Sequence, residues 1–179
     1  MIDLYYWGTP NGHKISIALE EMGLEYQIIP INILENDQFQ SDFLAISPNN
    51  KIPAIVDQNG PNGQPISIFE SGAILQYLGR KTGLFYPVDE VKRVQVEQWL
   101  MWQMGGLGPM LGQNHHFSRF APERIAYATD RYVNESKRLA QTVGIAQAHA
   151  NGRSIDAQGE IAAQHGCHPA GHGGGHHIA

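Results

Sequence analysis

All three Trp, all seven Tyr and all six Phe of this chain fall before position 133. That placement decides where a packed core can form, because aromatic side chains supply much of the apolar area a domain buries. The last forty residues hold no aromatic and no Leu, but they hold six of the nine His and the run GHGGGHH at 171–177. Such a segment buries too little apolar surface to offset its conformational entropy. Residues 140–179 are therefore expected to form a poorly ordered Gly/His-rich tail, and the first 139 residues to carry the fold. The composition changes abruptly after NESKRL at 134–139, with no Pro- or Ser-rich linker.

Within the first 139 residues the pattern resolves into elements. Ile2–Tyr6 is a β-branched and aromatic run, read as a strand. Thr9-Pro10-Asn11-Gly12 is a turn signal. Ile15, Ala18, Leu19 and Met22 recur at helical spacing, with Gly23 as the stop. A second strand spans Tyr26–Asn32, so the opening is a βαβ unit. A loop and short helix follow over Gln38–Ile46. Strands at Ile52–Val56 and Pro65–Phe69 flank DQNGPNGQ, whose Asn-Gly pairs mark a hairpin loop. A helix opens at Glu70 and stops near Gly83. The order βαβ-α-ββα predicts an α/β thioredoxin-like domain over residues 1–86.

From Pro87 the pattern is helical. Val91–Met104 forms one helix, and GGLGP at 105–109 is expected to break or kink it. Pro122–Leu139 forms another, with Pro122 and Glu123 suited to its first turn. Residues 88–139 are thus expected to form part of an all-α domain.

Twelve basic against seventeen acidic residues give a formal net charge of -5. A nucleic-acid-binding surface usually shows a basic excess, so no nucleic-acid partner is expected. No apolar run reaches the roughly 18 residues that cross a bilayer, and the N-terminus lacks the pattern of a secretory signal. The single Cys, Cys167, permits no intrachain disulfide and no CxxC pair. These features predict a cytoplasmic chain with no membrane partner.

Five separated segments carry a resemblance. TPNGHK at 9–14, SPNNKIPAIVD at 47–57, FESGAILQYL at 69–78, WQMGGLGPMLGQNHHF at 102–117 and DRY at 130–132 resemble, in order and spacing, segments of glutathione transferases. The likeness is to the bacterial nu-class branch, the glutathione-dependent disulfide-bond oxidoreductases, and covers Met1 to about Leu139. It implies glutathione as cosubstrate, a small disulfide or electrophile as second substrate, a homodimer, and no metal.

The motifs have physical content of their own. Pro53 is either an ordinary proline at a strand start or a cis proline that turns the backbone of Ile52 toward a peptide ligand. The resemblance implies the cis form. Glu70 and Ser71 open a helix, where they can cap it or hold the two charges of a γ-glutamyl group. The resemblance implies the latter. Thr9 and Asn11 sit at the mouth of the first helix. Both can donate to sulfur, and a helix N-terminus lowers a thiol pKa from about 8.5. The resemblance makes Asn11, then Thr9, the residues beside the glutathione sulfur. It also implies that Gln38 contacts the glycyl end, with Lys51 as a further charge there. The resemblance implies that Arg131 reaches the ligand, whereas the spacing alone equally allows a pair with Glu135 one turn on. Tyr5 and Tyr6 read as structural. His115 and His116 read as loop residues in a packing or substrate-pocket role.

The chain departs from the family after Leu139. The capping motif Ser/Thr-x-x-Asp of the family's later helices is matched only loosely at Ser154-Ile155-Asp156. A shifted reading frame or degraded gene end is one expectation, with lower stability and impaired turnover as its consequence. A glutathione-binding remnant or interaction protein is then the alternative function. A tail that binds Zn²⁺ or Ni²⁺ through His165, Cys167, His168, His172, His176 and His177 is another.

Overall fold

A computed structural model describes residues 1–151. The tail residues from 152 onward, including every proposed metal ligand of the tail and Ser154–Asp156, lie outside the described residues. The described structure separates into two compact units, Met1–Gly106 and the chain from Leu107.

The first unit is built on a four-stranded sheet of β1 (Ile2–Tyr6), β2 (Tyr26–Pro30), β3 (Ala54–Asp57) and β4 (Ile66–Phe69), in the order β2-β1-β3-β4. β1 runs parallel to β2 and antiparallel to β3, and β3 runs antiparallel to β4. The parallel pair requires a crossover, which α1 (Pro10–Glu21) supplies. The antiparallel pair is joined through Pro61–Gly63, where Asn62 and Gly63 take left-handed backbone. This is the thioredoxin-like order that the sequence predicts.

Strand alternation sorts the side chains onto two faces. Ile2, Leu4 and Ile55 face α1 and α3 (Ser71–Thr82), where Ile15, Leu19, Ile74 and Leu78 complete a buried cluster. On the other face Ala54 and Tyr5 meet Phe43 of α2 (Ser41–Ile46) and Ile31. The site described below lies where the loops at the ends of β1, β3 and β4 approach α1 and α3. β3 begins two residues later than expected, since Pro53 has no N–H for the ladder.

α4 (Glu90–Trp102) starts at Asp89, whose carboxylate caps the Lys92 N–H at 3.0 Å. Its residues group with the first unit, although the sequence reading assigns them to the helical domain. Tyr86 hydrogen-bonds Glu97, and Lys14 on α1 reaches Gln103, which tie α4 to this unit. The GGLGP segment does not interrupt the helical backbone. A π-type widening spans Gln103–Leu107, and Pro109 follows it in the first turn of α5 (Gly108–His115).

The second unit contains α5 and α6 (Ala126–Ala150), with a second π-type stretch at His116–Phe120. Three expectations are corrected here. His115 and His116 are helical rather than in a loop; their rings lie edge-on to Phe120 and Phe117. The last helix begins at Ala126 instead of Pro122, because Ala121 offers no side-chain acceptor to cap an earlier start. It also continues past Leu139 to Ala150, into the segment expected to be poorly ordered. Ala140, Gln141, Ala146 and Gln147 are good helix formers, no Pro intervenes, and a helix can propagate through them without aromatic packing.

Candidate functional site

Three chain segments of the first unit converge on a cleft of about 260 Å³. Asn11 comes from the first turn of α1. Ser47, Lys51, Ile52 and Pro53 come from the loop into β3. Phe69, Glu70 and Ser71 come from the junction of β4 and α3, and Met104 closes the cleft.

The first turn of α1 is held by a short local bond and a close approach. Thr9 Oγ1 accepts the Gly12 N–H at 3.3 Å and so caps the helix. Gly12 is packed so tightly that a Cβ would lie 2.4 Å from the Trp7 carbonyl oxygen. Only glycine lets this turn lie against the end of β1, and that leaves Asn11 exposed at the cleft. Thr9 is not among the cleft-lining residues. Tyr5 packs on Phe43 and Tyr6 bonds His13 Nδ1 at 2.9 Å, so neither enters the cleft.

The loop into β3 is pinned from inside. Ser47 is fully buried, and its hydroxyl donates to the Lys51 carbonyl at 2.9 Å. Asn50 takes a φ of 49° to close this turn. Ile52–Pro53 is a cis peptide. Asn49 Nδ2 reaches across to Glu70 Oε1 at 3.3 Å and links this loop to the start of α3.

That start has an unusual backbone. Glu70 has φ 69° and ψ 113°, a region costly for a residue with a Cβ, and strain of this kind concentrates at functional sites. Its side chain makes no cap bond. The first intrahelical bond of α3 runs from Ile74 N–H to the Glu70 carbonyl, so the N–H groups of Ser71, Gly72 and Ala73 have no acceptor within the helix. Ser71 is 4% exposed, and its hydroxyl donates to Met104 Sδ at 3.6 Å. The result is a positive helix end beside a carboxylate, suited to a group that carries both charges.

Lys14, one turn into α1, donates to Gln103 Oε1 at 3.2 Å and to Met104 Sδ at 3.6 Å. Burial lowers the pKa of its ammonium, while the charge of Glu70 acts in the opposite sense. Lys14, Ser47, Asn49 and Met104 are the site residues that sequence reasoning missed. Ser47 and Asn49 lie inside the resembling segment 47–57. Met104 lies inside the resembling segment 102–117, but that segment does not show its role, since its contacts come from the start of α3 and from α1.

Gln38 is not among the cleft-lining residues either. Gln38 sits in the turn Asp37–Phe39, and its Oε1 is buried with no hydrogen-bond partner among the described residues. In the second unit, Arg131 is exposed on α6 and lines a surface depression of about 630 Å³ with Tyr127, Asn134 and Glu135. The ion pair weighed for it with Glu135 is not made. Arg138 takes that carboxylate at 2.6 Å instead. Among the described residues no three His, Cys, Asp or Glu converge as a metal site, and no helix is long and apolar enough to cross a membrane.

Comparison with known proteins points the same way. Residues 2–80 match the family described as glutathione S-transferase, N-terminal domain. The disulfide-bond oxidoreductase YfcG of Escherichia coli K12 is 57% identical over 140 residues, which cover 78% of this chain and 65% of that protein. A glutathione transferase from Pseudomonas putida, solved with one glutathione disulfide per subunit, superposes with a TM-score of 0.78 at 50% identity. That match covers 83% of this chain and 65% of the other. A homologue from Lodderomyces elongisporus, solved with two glutathione molecules per subunit, has a TM-score of 0.75 at 33% identity and covers 84% of this chain and 72% of its own. The chain thus spans about two-thirds of the length of these relatives.

Proposed function

This chain belongs to the glutathione S-transferase family, and from that premise we propose that it binds glutathione in the cleft at the start of α3 and uses the bound thiolate to reduce small disulfides. The observation that carries the reading is the start of α3 itself. A strained Glu70, a nearly buried Ser71 and unbonded helix N–H groups face one cleft with Asn11 and Ile52. In this reading the γ-glutamyl carboxylate takes the Ser71 hydroxyl and the helix N–H groups, and the ammonium faces Glu70. The cysteinyl backbone pairs with Ile52 beside cis-Pro53. Lys51, which lines the cleft, serves the glycyl end. Asn11 faces the sulfur, and Thr9 caps the helix turn that presents it.

The chemistry then needs no nucleophile from the protein. A thiol with pKa of about 8.5 is mostly protonated at neutral pH, and a helix N-terminus with an amide donor favours the thiolate. Each unit of lowering corresponds to about 1.4 kcal/mol. The thiolate attacks one sulfur of the substrate disulfide, the S–S bond breaks, and the other sulfur leaves as a thiolate that takes up a proton. A second glutathione thiolate attacks the glutathionyl sulfur of the mixed disulfide and releases the second substrate thiol. Two glutathiones and one disulfide give one glutathione disulfide and two thiols. The same bound thiolate can add to an electrophile or reduce a peroxide.

The reading includes a homodimer and a cytoplasmic setting. Val91, Trp99 and Met101 are largely exposed on α4, which has no buried residue, and this supports a partner surface. The single Cys and the acidic net charge suit a reducing compartment that maintains a glutathione pool. The test is glutathione-driven turnover of a mixed disulfide by wild type, Asn11→Ala and Glu70→Ala. Asn11→Ala should lower kcat, and Glu70→Ala should raise the KM for glutathione. Equal rates for all three would overturn the reading.

A further inference from the structure

Ser71 is the cleft residue best placed to meet a carboxylate, yet its hydroxyl is engaged by an unusual acceptor. It donates to Met104 Sδ at 3.6 Å. A thioether is a weak acceptor, so this bond holds the hydroxyl direction at little energy. The position of the sulfur is itself controlled. Lys14 Nζ lies 3.6 Å from it and is tied to Gln103 Oε1 at 3.2 Å. Gly72, beside Ser71, leaves room for the side chain. A Cβ at residue 72 would stand 3.0 Å from Met104 Cγ and 3.3 Å from Sδ.

We infer that Met104 is a positioning residue for the carboxylate subsite: its thioether holds the Ser71 hydroxyl on a bond weak enough for an arriving carboxylate to take over. The inference rests on the glutathione reading and deepens it at the γ-glutamyl end. An amide oxygen at residue 104 would accept the same hydroxyl far more strongly, and the ligand would have to break that bond first. A hydrocarbon of similar size would leave the hydroxyl free for the ligand. Polarity at residue 104, more than shape, should therefore set the affinity. The Lys14 ammonium, 3.6 Å from the same sulfur, adds positive charge near the subsite.

The experiment is calorimetric titration of the full chain as wild type, Met104→Gln and Met104→Leu. Two probes are used: glutathione, and 4-aminobutanoyl-Cys-Gly, which lacks the α-carboxylate. Met104 is only partly buried, so both replacements can be accommodated. Met104→Gln should weaken glutathione binding about tenfold, as expected for competition with a charge-assisted hydrogen bond. Met104→Leu should stay within about twofold, and the peptide that lacks the α-carboxylate should not distinguish the three proteins. In a Ser71→Ala background, Met104→Gln should add nothing further. A Gln variant equal to wild type for glutathione would overturn the inference and leave the glutathione reading standing. Equal losses for Gln and Leu, equal losses for both probes, or additivity with Ser71→Ala would assign Met104 a purely structural role and also overturn it. No binding by wild type would overturn both.

Discussion

The two ends of α3 treat their polar groups in opposite ways. Near its C-terminal end, Tyr77 and Lys81 converge on Asp57 of β3, whose side chain is 1% exposed. The Tyr77 hydroxyl donates to Asp57 Oδ2 at 2.6 Å, Lys81 Nζ stands 2.8 Å away, and the Asn59 N–H donates to Oδ1 at 3.0 Å. At the N-terminal end, Ser71 has only a thioether, and Glu70 is strained and bonded to Asn49 at 3.3 Å. A saturated cluster fixes the helix to the sheet. An undersaturated one keeps donors and charge available for a ligand. One helix therefore separates stability from binding along its length.

The largest effect should come from breaking the saturated end. Asp57→Ala leaves Tyr77 and Lys81 without their shared acceptor. It should lower unfolding free energy by about 3 kcal/mol in urea denaturation, as for other broken buried pairs. Glutathione affinity of the folded fraction should be unchanged. A loss below about 1 kcal/mol, or a parallel loss of affinity, would break the comparison.

The opposite end should respond in the opposite sense. Glu70→Gly relieves the positive φ and should raise stability by about 0.5–1 kcal/mol, while removing the carboxylate should weaken glutathione binding by about tenfold. Stability gained at the cost of function marks a strained binding residue. A thermal melt and a glutathione titration on the same variant check both halves.

The smallest effect is a pH dependence. Burial alone would raise the Asp57 pKa, but hydrogen bonds from Lys81, Tyr77 and the Asn59 N–H, with the Lys81 charge, hold it below the usual carboxylate value. The stabilisation is therefore fully present above the unfolded pKa of about 3.9 and is lost as pH falls through the lower folded value. Acid titration of wild type against Asp57→Asn should show this increment being lost only below about pH 4. An equal acid response in the two proteins would remove Asp57 from the account.

Much of this was legible in the sequence. β1, the α1 stripe and the Gly83 stop follow from residue type and period, and Gly83 has a φ of 74°. Asn11, Ile52, Pro53, Glu70 and Ser71 were found through spaced motifs, and the structure gathers them at one cleft. Other features left no local trace. A Glu gives no sign that its backbone will be left-handed. The contact of Lys14 with Met104 depends on packing between distant segments. The extension of α6 to Ala150 was hidden because the absence of aromatics shows where a core is missing, whereas a helix can propagate on Ala and Gln alone. His115 and His116 were misplaced because Gly and Pro nearby read as a break, and π-type turns absorb it.

The central claim is that glutathione occupies the N-terminal end of α3. The most direct test is a backbone amide chemical-shift titration of the intact chain with reduced glutathione. Saturable shifts should appear at Asn11, Ile52, Ser71 and Gly72, with Asn59, Tyr77 and Lys81 unmoved. Shifts confined to the Asp57 end of the helix, or none at millimolar glutathione, would contradict it.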